Sequence, residues 1–263
     1  MIADLPPFRP RFPWWGGDLQ TLANRLSPPH VDLAPHTSER LFLPMKDGSG
    51  DVLLAMLDRP TRPERGRPLV ILIHGLTGAE DSLYLLSQSR LLLEHGFTVL
   101  RLNLRGAGPS RPTCADQYYA GRSQDFRAVL ALLPGELTQS GAAGVGYSLG
   151  AAMLLKYLGE EGAATPLVAA ASISAPIDLS ATSRSMLRRR NAVYHRHLLS
   201  QMKEEATGAG AVLTPAERGA ILRCRTIWEY DEVFIAPRYG FAGADDYYER
   251  CKPVRFMPSI RVP

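Results

Sequence analysis

Short apolar runs alternating with segments of helical period predict an α/β protein: a mostly parallel, doubly wound sheet that carries a helical cap insertion. Three observations support this. Leu69-Val70-Ile71-Leu72-Ile73 is an unbroken apolar run, as in strands buried on both faces. Strand-like and helix-like segments then alternate up to residue 177, at the spacing of repeated crossover units. From 179 to 250 the alternation stops, and helical patterns follow one another without strands between them.

The 263 residues suit one domain with four parts: an arm at 1–37, a core at 38–178, a helical cap at 179–250, and a return to the core at 251–263. The arm is rich in Pro and Trp, has no clear period, and reads as an extended wrap. Residues 39–45 and 51–57 are apolar segments about the turn Lys46-Asp47-Gly48-Ser49-Gly50, hence a hairpin. A Pro- and Arg-rich connector at 59–67 leads to the strand at 69–73, then to a helix at 82–95 closed by Gly96. Phe97 to Leu104 reads as the next strand. Phe126, Val129, Leu130 and Leu133 share one face of a helix that Pro134 ends. Ala142–Tyr147 is a short strand, 149–158 a helix and 167–177 another strand. Within the cap, Leu187, Asn191, Tyr194, Leu198 and Met202 line one face of a long helix, and Thr214-Pro215 opens a further one.

Composition narrows the function classes. With 45% hydrophobic residues the chain can build a core, so disorder is excluded. The net charge of +4 leaves 30 bases nearly balanced by 26 acids. The dense basic cluster, Arg184 with Arg188, Arg189 and Arg190, reads as a solvated helix face, without the aromatic interleaving of single-strand nucleic acid binders. Cys114, Cys224 and Cys251 show no metal-ligand spacing and suit a reducing cytoplasm. No signal peptide or transmembrane run is recognisable, and no metal or organic cofactor is expected.

The chemistry centres on Gly146-Tyr147-Ser148-Leu149-Gly150, a Gly-x-Ser-x-Gly motif between a strand and a helix. That context is the one in which the serine stands on a strained turn with its hydroxyl lifted above the sheet. Ser148 is the predicted nucleophile. His74-Gly75-Leu76-Thr77-Gly78 follows the 69–73 strand, where such hydrolases keep one oxyanion donor; the residue after the nucleophile supplies the other. These assign the amides of Leu76 and Leu149. Downstream of Ser148 only His195 and His197 remain as bases, and both read as packing or solvated residues of the cap. His74 reads as structural, His95 as a helix C-terminal residue, and His30 and His36 as arm residues. Asp178, after the 167–177 strand, is a candidate acid, while Asp245 and Asp246 suit a role in ordering the end of the cap.

Leu19-Gln20-Thr21-Leu22, the 74–78 loop, Leu104-Arg105-Gly106, the 146–150 motif and Gly240 to Tyr248 follow one another along the chain. In these segments the chain resembles the YheT-like branch of the α/β-hydrolases, which includes mammalian α/β-hydrolase-domain lipases of acylglycerols and phospholipids. The resemblance implies the α/β-hydrolase fold and a serine esterase or lipase with a Ser-Asp-His triad on small acyl esters. In that family Arg261-Val262-Pro263 would open a core strand, with the triad Asp and His beyond it. The expectation is therefore a C-terminally truncated member, lacking the last core strands, impaired in catalysis and prone to self-association through an exposed sheet edge. A non-catalytic binding protein and an acyltransferase are the alternatives.

Overall fold

Six strands form one sheet in the computed structural model, which describes residues 7–10, 12–26 and 30–263. They are β1 (Thr37–Pro44), β2 (Val52–Arg59), β3 (Leu69–Ile73), β4 (Val99–Leu102), β5 (Ala142–Tyr147) and β6 (Leu167–Ile173), in spatial order β1-β2-β4-β3-β5-β6. β1 and β2 make the antiparallel hairpin, with Thr37 opposite Arg59 and Pro44 opposite Val52. β2 joins β4 antiparallel, and β4, β3, β5 and β6 are parallel. β3 is buried at every position, which is why its sequence is continuously apolar.

The helices are α1 (Gly17–Leu26), α2 (Leu83–Glu94), α3 (Ser123–Leu132), α4 (Gly135–Thr138), α5 (Leu149–Glu161), α6 (Leu179–Met186), α7 (Ala192–Thr207), α8 (Pro215–Arg223), α9 (Ile227–Tyr230), α10 (Ala236–Arg238) and α11 (Ala244–Cys251). The alternating side chains of β3 divide the core. Leu69, Ile71 and Ile73 pack with Phe126 of α3 and with Met153, Leu154 and Tyr157 of α5. Val70 and Leu72 pack with Leu85 and Leu93 of α2. Helices α6 to α11 share a separate core that includes Leu199, Met202, Ile221, Phe234 and Tyr247. A π turn, Asp231–Ile235, joins α9 to α10.

Gly96 ends α2 at φ 77°, and Leu133 is forced extended before Pro134, so both helix stops stand where the sequence puts them. Thr214 and Glu217 form a reciprocal capping box at the start of α8. Four expectations need correction. The arm contains helix α1. β6 ends at Ile173, not at 177, because Ser174 turns to φ 54° and breaks the extended run. The long insertion helix begins at Ala192, so Leu187 lies outside it; the buried stripe is His195, Leu199, Met202 and Ala206, since the His195 ring joins the buried face. Residues 260–263 form no regular strand, though the Pro263 carbonyl accepts the Ala170 N–H (2.9 Å) at the outer edge of β6.

Candidate active site

Ser148 is held between β5 and α5 at φ 50°, ψ −117°, a conformation that non-glycine residues adopt only under constraint. The constraint comes from close packing around the turn. A Cβ at Gly146 would lie 2.6 Å from the Ala151 Cα, and one at Gly150 would lie 2.3 Å from the His74 carbonyl oxygen. Both positions therefore admit only glycine without movement of main chain. The Ser148 N–H donates to Ile173 O (2.9 Å), so β6 holds the turn from the side, and the serine itself is exposed.

The loop after β3 packs onto this turn: a Cβ built on Gly75 would stand 3.0 Å from Ser148 Cβ. His74 is fully buried. Its Nε2 accepts the Leu104 N–H (3.0 Å), so its Nδ1–H faces Gly75 O (2.7 Å). Burial lowers its pKa to about 4, and the neutral ring acts as a brace between β3 and β4. Thr77 is a second strained residue, at φ 59°. Its N–H donates to the Tyr118 hydroxyl (2.8 Å), which donates to Glu205 Oε2 of α7 (2.8 Å). Its hydroxyl donates to Gln201, also on α7 (3.3 Å). Helix α7 thus fixes the 74–78 loop by two routes. The Leu76 and Leu149 amides take no acceptor among the described residues.

A cavity of about 590 Å3 adjoins Ser148, lined by Leu76 and Leu149 on the sheet side and by residues of α6, α7, α9 and α11 opposite. Its wall is mainly apolar and aromatic, as in pockets for small organic ligands. Polar groups interrupt it. Asp231, buried in the π turn, accepts the Tyr248 hydroxyl (2.5 Å), and desolvation raises its pKa to about 7. Glu205, outside the lining but accepting the hydroxyl of the lining residue Tyr118, is also pushed up to about 7 by burial, against that hydrogen bond and the charge of Arg111. The Tyr230 hydroxyl, near Gln117, is buried and makes no hydrogen bond of normal geometry.

None of the six histidines lines the cavity. The His195 Nε2 accepts the Ile227 N–H (3.1 Å), which ties α7 to α9, and desolvation lowers its pKa. His95 stands at the C-terminus of α2 with Nδ1 at 2.8 Å from Leu91 O, and His36 accepts the Thr61 N–H. Asp178 caps α6 through the Ala181 N–H (2.9 Å). Asp246 accepts the Ala242 N–H (3.0 Å) and Asp245 the Trp228 indole N–H (3.4 Å), both at the start of α11. No group of three or more His, Cys, Asp or Glu among the described residues is placed to hold a metal ion. No helix among them is long and apolar enough to cross a membrane. The sequence reading missed Tyr118, Glu205, Tyr230 and Asp231. The local pattern around each is unremarkable, and only the approach of the insertion to the loop gives them a place.

The sequence profile of the α/β hydrolase fold family matches residues 68–224. The putative esterase YheT of Escherichia coli (strain K12) is 31% identical over 249 residues, which is 93% of this chain and 72% of that protein. The mouse phospholipase ABHD3 is 30% identical over 203 residues, and the medium-chain fatty acid ethyl ester synthase/esterase 2 of Saccharomyces cerevisiae 30% over 221. Those alignments cover 75% and 74% of this chain but only 48% and 49% of the relatives, so the chain spans about half their length. Among solved structures, the Pyrococcus furiosus esterase PF2001 superposes with a TM-score of 0.51 at 20% identity, covering 70% of this chain and 65% of that one, a likeness of fold. With its mostly parallel sheet, its strand-to-helix turn at Ser148 and these relatives, the chain belongs to the α/β-hydrolase fold family, in its YheT-like branch of esterases and lipases.

Proposed function

We propose that the chain is built for carboxylic ester hydrolysis through Ser148. The observation that carries this reading is the exposed serine on a strained turn, packed against the 74–78 loop beside a largely apolar cavity. In the proposed reaction the Ser148 oxygen attacks the acyl carbonyl carbon, and the carbonyl oxygen takes up the charge. The Leu76 and Leu149 amides, which take no acceptor among the described residues, hydrogen-bond that oxygen as charge develops; such a donor typically lowers the barrier by about 3 kcal/mol. Collapse of the tetrahedral species expels the alcohol and leaves an acyl-serine, which water then cleaves. The acyl chain occupies the cavity. No cofactor enters, and the lone buried thiols favour a reducing cytoplasmic setting.

The serine proton needs an acceptor, and no histidine lines the cavity. Ser148 then stays protonated at neutral pH, and this chain is an impaired catalyst, with a residual advantage over water on the order of 10³ from binding and oxyanion contacts. The test is p-nitrophenyl butyrate hydrolysis by the chain, by Ser148→Ala, and by a version extended past Pro263 with a strand, an Asp and a His. Low turnover that rises in the extended version and vanishes on Ser148→Ala is expected. Fast turnover by the 263-residue chain that requires Ser148 would overturn the impairment, and turnover in no version would overturn the hydrolase reading.

A second reading, an acyl-ligand binding protein without turnover, is supported by the largely apolar cavity itself. Acyl transfer to an alcohol uses the same groups, and the yeast relative's name as an ester synthase/esterase makes it worth separating. Product analysis with a competing alcohol distinguishes transfer from hydrolysis.

A further inference from the structure

Outside the cavity, one face combines exposed apolar side chains with arginines. Phe12 (73% exposed), Trp15 (60%) and Leu19 (42%) stand out from the arm and α1. Leu187 (51%) and Val193 (73%) flank the exposed Arg188, Arg189 and Arg190 between α6 and α7. The two groups adjoin: Asp18 of α1 accepts the Tyr194 hydroxyl (3.2 Å) and lies 3.7 Å from the Arg190 guanidinium. Residues 179–203 themselves contain no Asp or Glu, so this stretch carries a local excess of positive charge.

Helix α6 links this face to the cavity. Leu179, Thr182, Ser183 and Met186, at the spacing of one helix face, line the cavity, while Arg184 between them is exposed on the outside. One wall of the cavity is thus the inner side of the basic, apolar-studded surface. Large apolar side chains grouped in the open signal an interaction site. Their mixture with exposed arginines selects the partner. A nucleic acid would satisfy the arginines but leave Leu187 and Val193 against its hydrated backbone. A lipid surface accepts both, aromatic and aliphatic groups entering the headgroup boundary while arginines meet anionic headgroups.

We propose that Phe12, Trp15, Leu19, Leu187 and Val193, with Arg184 and Arg188 to Arg190, form a docking face for an anionic phospholipid surface, set against the cavity wall at α6. This goes beyond the ester-hydrolase reading, and binding is scored without turnover, so failure of one does not imply failure of the other.

The test is co-sedimentation of the 263-residue chain with phosphatidylcholine vesicles and with vesicles also containing phosphatidylglycerol. Binding to the anionic vesicles that weakens with salt, and little binding to phosphatidylcholine alone, is expected. Substituting Arg188→Gln, Arg189→Gln and Arg190→Gln together should lower partitioning about a hundredfold. Trp15→Ser with Val193→Ser should lower it about tenfold while leaving its salt dependence unchanged. All these side chains are exposed, and unchanged thermal unfolding shows that the variants remain folded. Failure to bind, or binding indifferent to the arginines, overturns the proposal. So does a vesicle-free dimer that Trp15→Ser with Val193→Ser converts to monomer, since a second copy would then cover the face.

Discussion

Arg105 is the side chain whose loss should weaken the fold most for the fewest atoms removed. Its guanidinium is 1% exposed and uses all five donors: two to Asp125 (2.8 and 2.7 Å), one to Asp51 (2.6 Å), one to Asp47 (2.7 Å) and one to Ser49 (3.0 Å). It therefore pins the β1–β2 turn to α3, and its carbonyl accepts the Tyr118 N–H (2.9 Å), which sets the residue that holds Thr77. Arg105→Met leaves Asp51 and Asp125 buried with less compensation. Asp125 keeps the Arg122 charge at 3.0 Å and Asp51 keeps the Ala115 N–H, so the loss should fall within the usual range for breaking a buried pair, about 4 kcal/mol. Asp47, half exposed, adds little. Arg105→Lys retains the charge with three donors and should lose about half as much. The assay is urea unfolding with an unchanged slope. The combined variant Arg105→Met, Asp51→Asn, Asp125→Asn should recover part of the loss, because no bare charge remains. A loss below about 1 kcal/mol for Arg105→Met, the scale of a surface pair, would refute the reasoning.

The Cβ of Gly150→Ala would stand 2.3 Å from His74 O and 2.8 Å from Ile73 O, both main chain, so the variant should lose at least about 2 kcal/mol in urea unfolding; near-neutrality would contradict the packing. Replacing Ser148, at φ 50°, by Gly should give a protein about 1 kcal/mol more stable than Ser148→Ala, checked by the shift in unfolding midpoint. Glu205 and Asp231 have folded pKa values near 7, above their ordinary 4.5 and 3.8, so the native state holds extra protons between those limits. Their contribution is complete below about pH 4 and is lost as pH rises through 7; wild type should lose more stability between about pH 5 and about pH 8 than Glu205→Gln with Asp231→Asn. Equal slopes would count against burial of both acids. β6 is the outermost strand, with Val168 and Ile173 half exposed, and sedimentation at tens of micromolar should reveal self-association; a stable monomer would show that the pairing of Ala170 with Pro263 covers the edge well enough.

Features that depend on neighbouring residues could be read from the sequence alone. The unbroken apolar run 69–73 reads as a strand buried on both faces, Gly96 and Pro134 end their helices through their own backbone geometry, and Thr214-Pro215 opens α8. The family and the setting of Ser148 were legible for the same reason, since the glycines at 146 and 150 serve a turn only five residues long. The tertiary structure decided what distant residues do to one another. Tyr118 meets Glu205 across 87 positions, and Arg105 meets Asp47 across 58, distances at which sequence period carries no information. It also decided that Leu187 lies outside the long helix and that His195 is buried to accept the Ile227 N–H, although the apolar stripe had pointed one residue aside. Local pattern reports the preference of a segment for helix or strand. Desolvation, by contrast, raises Asp231 and Glu205 and lowers His74 only after other elements have excluded water from them, so that part of the site exists only in the folded chain.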